Sequence, residues 1–297
     1  MSLAEFMQHL VNGTSLGSLY ALIAIGYTMV YGILRLINFA HGDIFMMGTY
    51  LAYYGILFTP IPWYLVFILA PLLTGLLGLV LEKLAYKPMR GSPRITILIS
   101  AIGASFLLQN FGILVFGGRP KAFPIPGILD TTLTVSGVSV DLISIIIPII
   151  TIALLVILNF FIKKTKTGMA MRALAKDFET ASLMGINING IISIVFFIGS
   201  FLAAVGGIMW GIKYPQLMPT MGVVPGLKCF IAAVIGGIGN ITGAVLGGFI
   251  LGLGEILLIA FLPNLTGYRD AFAFVLLIVI LLVRPTGLLG EKTSEKV

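Results

Sequence analysis

Long apolar segments separated by short polar stretches restrict the fold of this sequence more than any other feature. Runs such as 95–116, 142–162 and 271–283 reach or approach the ~20 apolar residues that one bilayer crossing requires. Charged residues make up 10% of the chain, whereas a soluble domain carries roughly one quarter. Because a segment in lipid must satisfy its own backbone hydrogen bonds, the sequence predicts an all-α, polytopic transmembrane bundle.

We predict a single transmembrane domain over residues 1–297 with about eight spans. Their expected bounds are 10–34, 43–59, 63–85, 95–116, 142–162, 190–212, 242–262 and 268–284. The first residues carry Glu5 and no Lys or Arg, unlike the basic start of a secretory signal. The first helix is therefore expected to remain as a span with its N-terminus outside.

Basic residues are concentrated in three segments, and this predicts the orientation in the membrane. Twelve of the eighteen Lys and Arg residues lie in 83–94, 163–176 and 284–296. Since cytoplasmic loops are enriched in Lys and Arg, the loops 86–94 and 163–189 and the C-terminal tail are predicted to be cytoplasmic. The segment 117–141 is then the large external loop. The net charge of +7 follows from this pattern and does not indicate nucleic-acid binding.

A break in a helix is required near 227–240. The stretch 227–262 contains 36 residues, of which only Lys228 and Glu255 are charged. One straight helix of that length would extend about 54 Å, against a hydrocarbon core of roughly 30 Å. We therefore predict a re-entrant or broken helix, because glycine permits the turn and Asn can bond freed backbone groups. The residues proposed for this break are Gly236, Gly237, Gly239 and Asn240.

Polar residues also interrupt the chain after the first span, at Asn38, His41 and Asp43. Because polar groups left unpaired in hydrocarbon are costly, these side chains should face protein or water. They either line the solute path or cap helix ends, and the sequence leaves both interpretations open. The two breaks also suggest that the chain consists of two weakly related halves, as in many transporters.

Glu255 lies in the middle of a predicted span, where a carboxylate is a functional candidate. It either belongs to the translocation path or bonds a neighbouring helix or a partner subunit. A proton-coupled pump would show several such acids within its spans, whereas the other acids here lie at span ends or in loops.

The loop 163–189 contains the strongest candidate for a docking element. Asp177 suits a helix N-cap and Gly185 suits the position after a helix end, which together predict a helix of about two turns. Its apolar side would comprise Phe178, Ala181, Leu183 and Met184. An exposed apolar face on a short helix marks either a docking surface for a partner protein or a helix that rests on lipid headgroups.

Motifs for chemistry within this chain are absent from the sequence. It contains no G-x-x-x-x-G-K-[ST] motif for ATP, no G-x-S-x-G and no H-E-x-x-H. Its single Cys229 cannot form a disulfide within the chain, and His41 has no second His or Cys nearby with which to hold a metal. We therefore expect a protein that is not an enzyme, with no cofactor and no metal site, and any ATP hydrolysis must occur on separate subunits.

Several sequence stretches resemble a known family. The pattern Glu179-Thr180-Ala181-x-x-x-Gly185 resembles the Glu-Ala-Ala-x-x-x-Gly signature of ABC-importer permeases. The family signature has Ala where this chain has Thr180. Taken over its whole length, the chain resembles the LivH/LivM permease family of branched-chain amino-acid importers. The matching stretches are 21–33, 37–42, 233–239 and 284–290.

This resemblance implies the permease subunit of an ATP-driven importer for leucine, isoleucine and valine in the cytoplasmic (inner) membrane of a bacterium or archaeon. The implied partners are a second, LivM-like permease, two ATPase subunits (LivG-like and LivF-like), an external solute-binding protein and membrane lipid, with no nucleic acid. The implied ATPase-coupling residues are Arg172, Asp177, Phe178, Glu179, Thr180, Ala181, Met184 and Gly185. The alternatives are an importer of another amino acid, an amide or urea, and an ion-coupled secondary transporter.

Overall fold

The computed structural model describes residues 2–135 and 138–290, and it confirms the predicted all-α membrane bundle. Within these residues the helices are α1 (Leu3–Leu34), α2 (His41–Phe58), α3 (Trp63–Leu81), α4 (Arg94–Phe116), α5 (Leu142–Lys164), α6 (Lys166–Lys176), α7 (Phe178–Leu183), α8 (Ile188–Lys213), α9 (Val223–Gly236), α10 (Ile241–Phe261) and α11 (Arg269–Val283). A π-helical turn (Glu82–Tyr86) and a 3-10 turn (Lys87–Met89) extend α3, and a second 3-10 turn (Pro263–Tyr268) precedes α11. The part of the predicted C-terminal tail beyond Gly290 lies outside the described residues.

Each of the eight predicted spans coincides with a helix, but their lengths and polarities differ. Seven of the described helices are long and apolar enough to cross a membrane. The predicted span 43–59 is helix α2, which is not among these seven. The reason lies at its start, because His41 and Asp43 make the first turn polar. The predicted count of about eight spans therefore becomes seven membrane-length helices together with the less apolar α2.

The predicted helix break is present between α9 and α10. Gly237 and Gly239 adopt φ values of 107° and 95°, a region that favours glycine. The chain after α11 crosses this break: the N–H of Leu288 and the N–H of Leu289 donate to the carbonyls of Ile235 and Gly236 at 2.9 Å. These bonds satisfy carbonyls at the end of α9 that lack helical partners.

Helices α1 and α10 form the most extensive helix pair of the bundle and run antiparallel. Gly17 lies against Phe249, and Gly32 lies against Gly239, so residue numbers rise on one helix as they fall on the other. Small residues along this interface allow the two backbones to approach closely.

Helices α3 and α8 form a second antiparallel pair. Gly78 packs against Ser200, and in the π-helical turn that extends α3 the Glu82 carboxylate accepts a hydrogen bond from the Ser193 hydroxyl at 2.9 Å. This pair matches the α1–α10 pair if α8 corresponds to α1 and α3 corresponds to α10.

The remaining contacts follow the same correspondence. Helix α2 packs on α3 and α8, and α9 packs on α10 and α1; likewise α4 contacts α2, and α11 contacts α9. Helices α1–α4 and α8–α11 are thus two halves of opposite orientation; the sequence suggested two related halves but not their opposite orientation. In this arrangement α2 corresponds to α9, so the segment 35–40 matches 214–222. It was wrong to treat the break at 38–43 as the equivalent of the glycine break at 236–243. The first break precedes α2, whereas the second follows α9, which is the helix that corresponds to α2.

Helices α2 and α9 both begin inside the bundle, and their first turns meet. His41, the first residue of α2, packs against Gly26, eight residues before the end of α1. A Cβ on Gly222, just before α9, would lie 1.9 Å from the carbonyl oxygen of Gly42. This contact leaves no space for a side chain at either position. We call α2 and α9 the half-helices.

Short strands, which the sequence analysis did not predict, occupy one end of the bundle. β1 (Lys121–Ala122) pairs with β4 (Gln216–Leu217), and β2 (Thr132–Val135) pairs with β3 (Val138–Asp141), both antiparallel. The ion pair of Lys213 with Asp141 at 2.8 Å joins the end of α8 to β3. The opposite end, where 86–94 meets 163–189 through an Arg90–Asn189 hydrogen bond of 2.6 Å, is called the basic end.

Candidate functional site

The short helix α7 at the basic end has the predicted start and end. The Asp177 carboxylate accepts hydrogen bonds from the backbone N–H of Glu179 at 3.0 Å and of Thr180 at 3.1 Å. The Thr180 hydroxyl donates to the other Asp177 oxygen at 2.7 Å. Gly185 follows the helix with a φ of 77°. The N-cap and the glycine stop therefore hold six residues in a defined position.

Three of the four apolar side chains predicted for one side of α7 are exposed. The exposed fractions are 42% for Phe178, 88% for Leu183 and 78% for Met184. Ala181 is buried and belongs to the apolar core, so its assignment to the outward face was wrong. Three residues with exposed apolar surface thus surround one small residue that fits against the body of the protein. We call Phe178, Leu183 and Met184 the α7 knob.

Arg172 lies apart from the α7 knob. It is on α6, and its guanidinium donates to the carbonyl of Ile162 near the end of α5. The Thr165 side chain caps the start of α6 by accepting from Gly168 N–H at 3.0 Å. Arg172 therefore fixes the angle between α5 and α6, while Glu179 remains on the exposed surface beside the α7 knob.

We expect Asp177→Ala to weaken α7, because loss of an N-cap costs about 1 kcal/mol. Asp177→Asn should retain the helix, since Asn caps as well as Asp. Hydrogen exchange of the amides in 178–184 measures the difference. Faster exchange in the Ala variant alone is the predicted outcome, and equal exchange in both variants would show that the cap does not hold α7.

Asn38, His41 and Asp43 come together at the start of α2, and each is nearly inaccessible to solvent. His41 Nε2 lies 3.2 Å from the Ile23 carbonyl oxygen of α1. The Tyr86 hydroxyl donates to Asn38 at 2.7 Å, and the Ser105 hydroxyl donates to Asp43. These bonds connect the half-helix α2 to α1, to the extension of α3 and to α4. They favour the interpretation as helix-end anchors, while a role in the path stays a prediction.

The second predicted break is built around Asn240. Its side-chain oxygen accepts from Gly243 N–H at 3.0 Å and so caps α10, while its amide donates to the Leu289 carbonyl at 2.8 Å. Gly237 leaves no room for a side chain, because a Cβ there would lie 2.4 Å from the Gly290 nitrogen. The glycine-rich break and the segment 284–290, which are far apart in sequence, are therefore contacting parts of one structure. Gly236 contributes its carbonyl to the bond with Leu289 N–H, whereas Gly239 lies against Gly32 of α1.

Glu255 is fully buried and belongs to a network of charges. Lys228 Nζ lies 2.9 Å from one Glu255 oxygen, and Arg269 Nε lies 2.6 Å from the other. Lys228 also pairs with Asp270 at 2.7 Å, and the Tyr20 hydroxyl donates to Glu255 at 3.1 Å. Sequence reasoning identified Glu255 but missed its partners. The sequence contained one indication of these partners, because Lys228 is the one cation in the apolar stretch 227–262.

This network joins α9, α10 and α11 with balanced charges. Two cations and two carboxylates alternate within ion-pair distance. Charges in lipid-spanning segments persist where they pair with one another. These ion pairs favour the interpretation of Glu255 as a bond between neighbouring helices, while its role in the translocation path stays a prediction.

Membrane-length helices, two half-helices that meet inside the bundle and a short exposed helix at one end together define a multi-pass membrane transport protein. The family model described as "Branched-chain amino acid transport system / permease component" matches residues 9–281. The chain belongs to this family of permeases.

Two curated relatives extend over almost the whole chain. The permease protein BraD of the high-affinity branched-chain amino acid transport system of Pseudomonas aeruginosa is 43% identical, over 99% of this chain and 98% of its own. The permease protein LivH of the corresponding system of Salmonella typhimurium is 44% identical, over 98% of each chain. The resemblance to the LivH/LivM permease family is thereby confirmed.

A solved structure shares the fold at low sequence identity. PsaBC from Streptococcus pneumoniae, in complex with Fab, aligns with a TM-score of 0.52 and 13% identity. The alignment covers 94% of this chain and 92% of that chain. It supports the arrangement of the helices and nothing about the transported solute.

Proposed function

We propose that this chain is a permease subunit of an ATP-driven importer that carries leucine, isoleucine and valine across the cytoplasmic membrane of a bacterium or archaeon. The observation that carries the proposal is the identity of 43% and 44% to two permeases named for branched-chain amino acid transport, over nearly the whole chain.

The α7 knob is the proposed contact with an ATPase subunit. Its three side chains are exposed beyond the ends of the spans, where exposed apolar surface marks a docking site. The Asp177 cap and the buried Ala181 hold α7 on the body of the protein. A partner that moves α7 therefore moves α6 and the adjacent ends of α5 and α8, and this provides a lever for alternating access.

The proposed orientation in the membrane indicates where the remaining partners would bind. The basic end faces the cytoplasm in the proposed topology, in accord with the enrichment of Lys and Arg in cytoplasmic loops. The β2–β3 hairpin and the β1–β4 pair then face outward and form the proposed contact region for a solute-binding protein. A second, LivM-like permease completes the path.

An apolar amino acid requires few charged groups along its path. The buried charges of α9, α10 and α11 are paired with one another, so they place no uncompensated charge near a solute. Selectivity among leucine, other amino acids, amides and urea is then proposed to reside mainly in the binding protein. Uptake into vesicles with the cognate binding protein distinguishes these solutes, and insensitivity of uptake to ionophores distinguishes ATP-driven import from ion-coupled transport.

Replacing the two most exposed side chains of the α7 knob, by Leu183→Ser with Met184→Ser, is expected to abolish co-purification of the ATPase subunits. ATP-dependent leucine uptake in reconstituted vesicles should fall at least about tenfold, because removing two apolar anchors from an interface costs more than about 1.4 kcal/mol. The matched control is Met169→Ser on α6, which is 60% exposed and lies outside the knob. Retained ATPase binding in the double variant would refute the docking role of α7.

A further inference from the structure

A cavity at the basic end borders the α7 knob, because Phe178 lines part of it, but the proposed function assigns no ligand to this cavity. It has a volume of about 660 Å³ and lies between the end of α1, the start of α4 and the α6–α7 segment. Four cationic side chains line it, together with the single acidic residue Asp177. These cations are Arg35, Arg90, Arg94 and Lys176.

Among the residues that the structure describes, most of this positive charge has no partner. Arg90 pairs with the buried Glu82 and donates to Asn189 at 2.6 Å. In the described residues 2–135 and 138–290, the side chains of Arg35, Arg94 and Lys176 form no hydrogen bond or ion pair. The Asp177 carboxylate is engaged in capping α7. The cavity therefore presents three cations to whatever occupies it.

Apolar surface continues from the cavity along α4. The cavity wall includes Ile33, Leu34 and Ile97. Next to Arg94, the side chains of Ile95 and Ile99 are 72% and 62% exposed on a helix of membrane-spanning length. A molecule with an anionic group and long apolar chains would find both complementary surfaces here.

We propose that this cavity binds the phosphodiester headgroup of an anionic phospholipid, with its acyl chains along the exposed face of α4. Guanidinium groups match phosphate geometry with paired hydrogen bonds. Basic pockets between spans on the cytoplasmic side are suited to anionic headgroups. The choice of leaflet rests on the proposed orientation, whereas the binding itself does not depend on the transported solute.

A bound headgroup would also contact the segment that carries α7. Lys176 and Asp177, the last two residues before α7, belong to the cavity wall. The lipid would bridge this segment to Arg35 at the end of α1 and to Arg94 at the start of α4. The anionic lipid would thus hold α7, the proposed lever, in a fixed position relative to the spans.

The test is lipid binding by the purified full chain, measured by native mass spectrometry during titration with phosphatidylglycerol. We expect Arg35→Gln, Arg94→Gln and Lys176→Gln in combination to weaken the tightest site about 100-fold, since each cation near an anionic headgroup contributes a several-fold effect. The matched control replaces Lys83, Lys87 and Lys163 by Gln, which removes the same charge from exposed positions outside the cavity. Should the triple variant fail to fold, the single Arg94→Gln variant is expected to show a roughly fivefold loss.

Phosphatidylcholine and millimolar inorganic phosphate are the other ligands in this titration. Neither is expected to displace phosphatidylglycerol from the wild-type chain. Displacement by inorganic phosphate would show that the cavity binds a free anion and would overturn the lipid proposal. Equal losses of phosphatidylglycerol affinity in both triple variants would show that binding depends only on the general surface charge, and would overturn it as well. If the triple cavity variant binds lipid like the wild type but no longer co-purifies with the ATPase subunits, the cavity belongs to the ATPase interface and the lipid proposal is wrong.

Discussion

Glu255→Gln is expected to lower the free energy of unfolding by up to about 3–5 kcal/mol, because it removes the buried carboxylate shared by Lys228, which keeps Asp270 as a partner, and by Arg269, whose side chain is 31% exposed. Glu255 is fully buried, and Lys228 is 4% exposed. The measurement is thermal or chemical unfolding of the purified chain in detergent. A change of this size would be a large fraction of the total stability of a protein.

The matched control is Asp141→Asn, which removes the carboxylate partner of Lys213. That ion pair has a distance of 2.8 Å, like the buried one, but Asp141 is 51% exposed. Exposed pairs contribute about 0–1 kcal/mol, so this variant should unfold almost like the wild type.

Adding Lys228→Met to Glu255→Gln supplies a second check. The double variant leaves one cation, Arg269, and one carboxylate, Asp270, so the net charge of the network is zero again. It should therefore be more stable than Glu255→Gln alone. If Glu255→Gln and Asp141→Asn unfold alike, the ion pairs of Glu255 do not stabilise the contacts of α10 with α9 and α11.

Gly222→Ala is expected to separate the half-helices and to reduce leucine uptake more than tenfold. A Cβ at this position would lie 1.9 Å from the Gly42 carbonyl oxygen, where only backbone atoms are available to move. Overpacking of this kind costs about 1–3 kcal/mol, and it changes the relative position of α2 and α9. Uptake in vesicles and unfolding of the purified chain measure the two effects.

Gly103→Ala is the control for this substitution. A Cβ on Gly103 meets no atom within 4 Å, and the residue lies inside helix α4. Alanine there should leave uptake unchanged and stabilise the helix by up to about 1 kcal/mol. Similar behaviour of the two variants would show that the contact between the half-helices does not matter for transport.

Local features of the fold could be predicted from the sequence because their causes are local. Runs of apolar residues fix the spans, Asp177 and Gly185 fix the ends of α7, and glycine fixes the break after α9. Each of these features depends on a few consecutive residues. Their positions therefore do not require knowledge of the packing.

Features that depend on packing could not be predicted. The partners of Glu255 lie on α9 and α11, and nothing in the residues around it indicates them. Ala181 was assigned to the outward side of α7 from its apolar character, but its small volume suits the buried side. The correspondence of α2 with α9 rests on which helices contact each other, since the segments that precede them have no shared sequence pattern.

The proposed coupling to an ATPase requires that α7 be exposed to the cytoplasm, and labelling of single cysteines tests this exposure directly. Ser182→Cys places a thiol on α7, and Ser139→Cys places one on the β2–β3 hairpin; both positions are exposed. The native Cys229 is buried and provides the unlabelled background. With a membrane-impermeant maleimide, we predict labelling of Ser182→Cys only in inverted vesicles and of Ser139→Cys only in right-side-out vesicles. Labelling of Ser182→Cys in intact right-side-out vesicles would contradict the proposed coupling to a cytoplasmic ATPase.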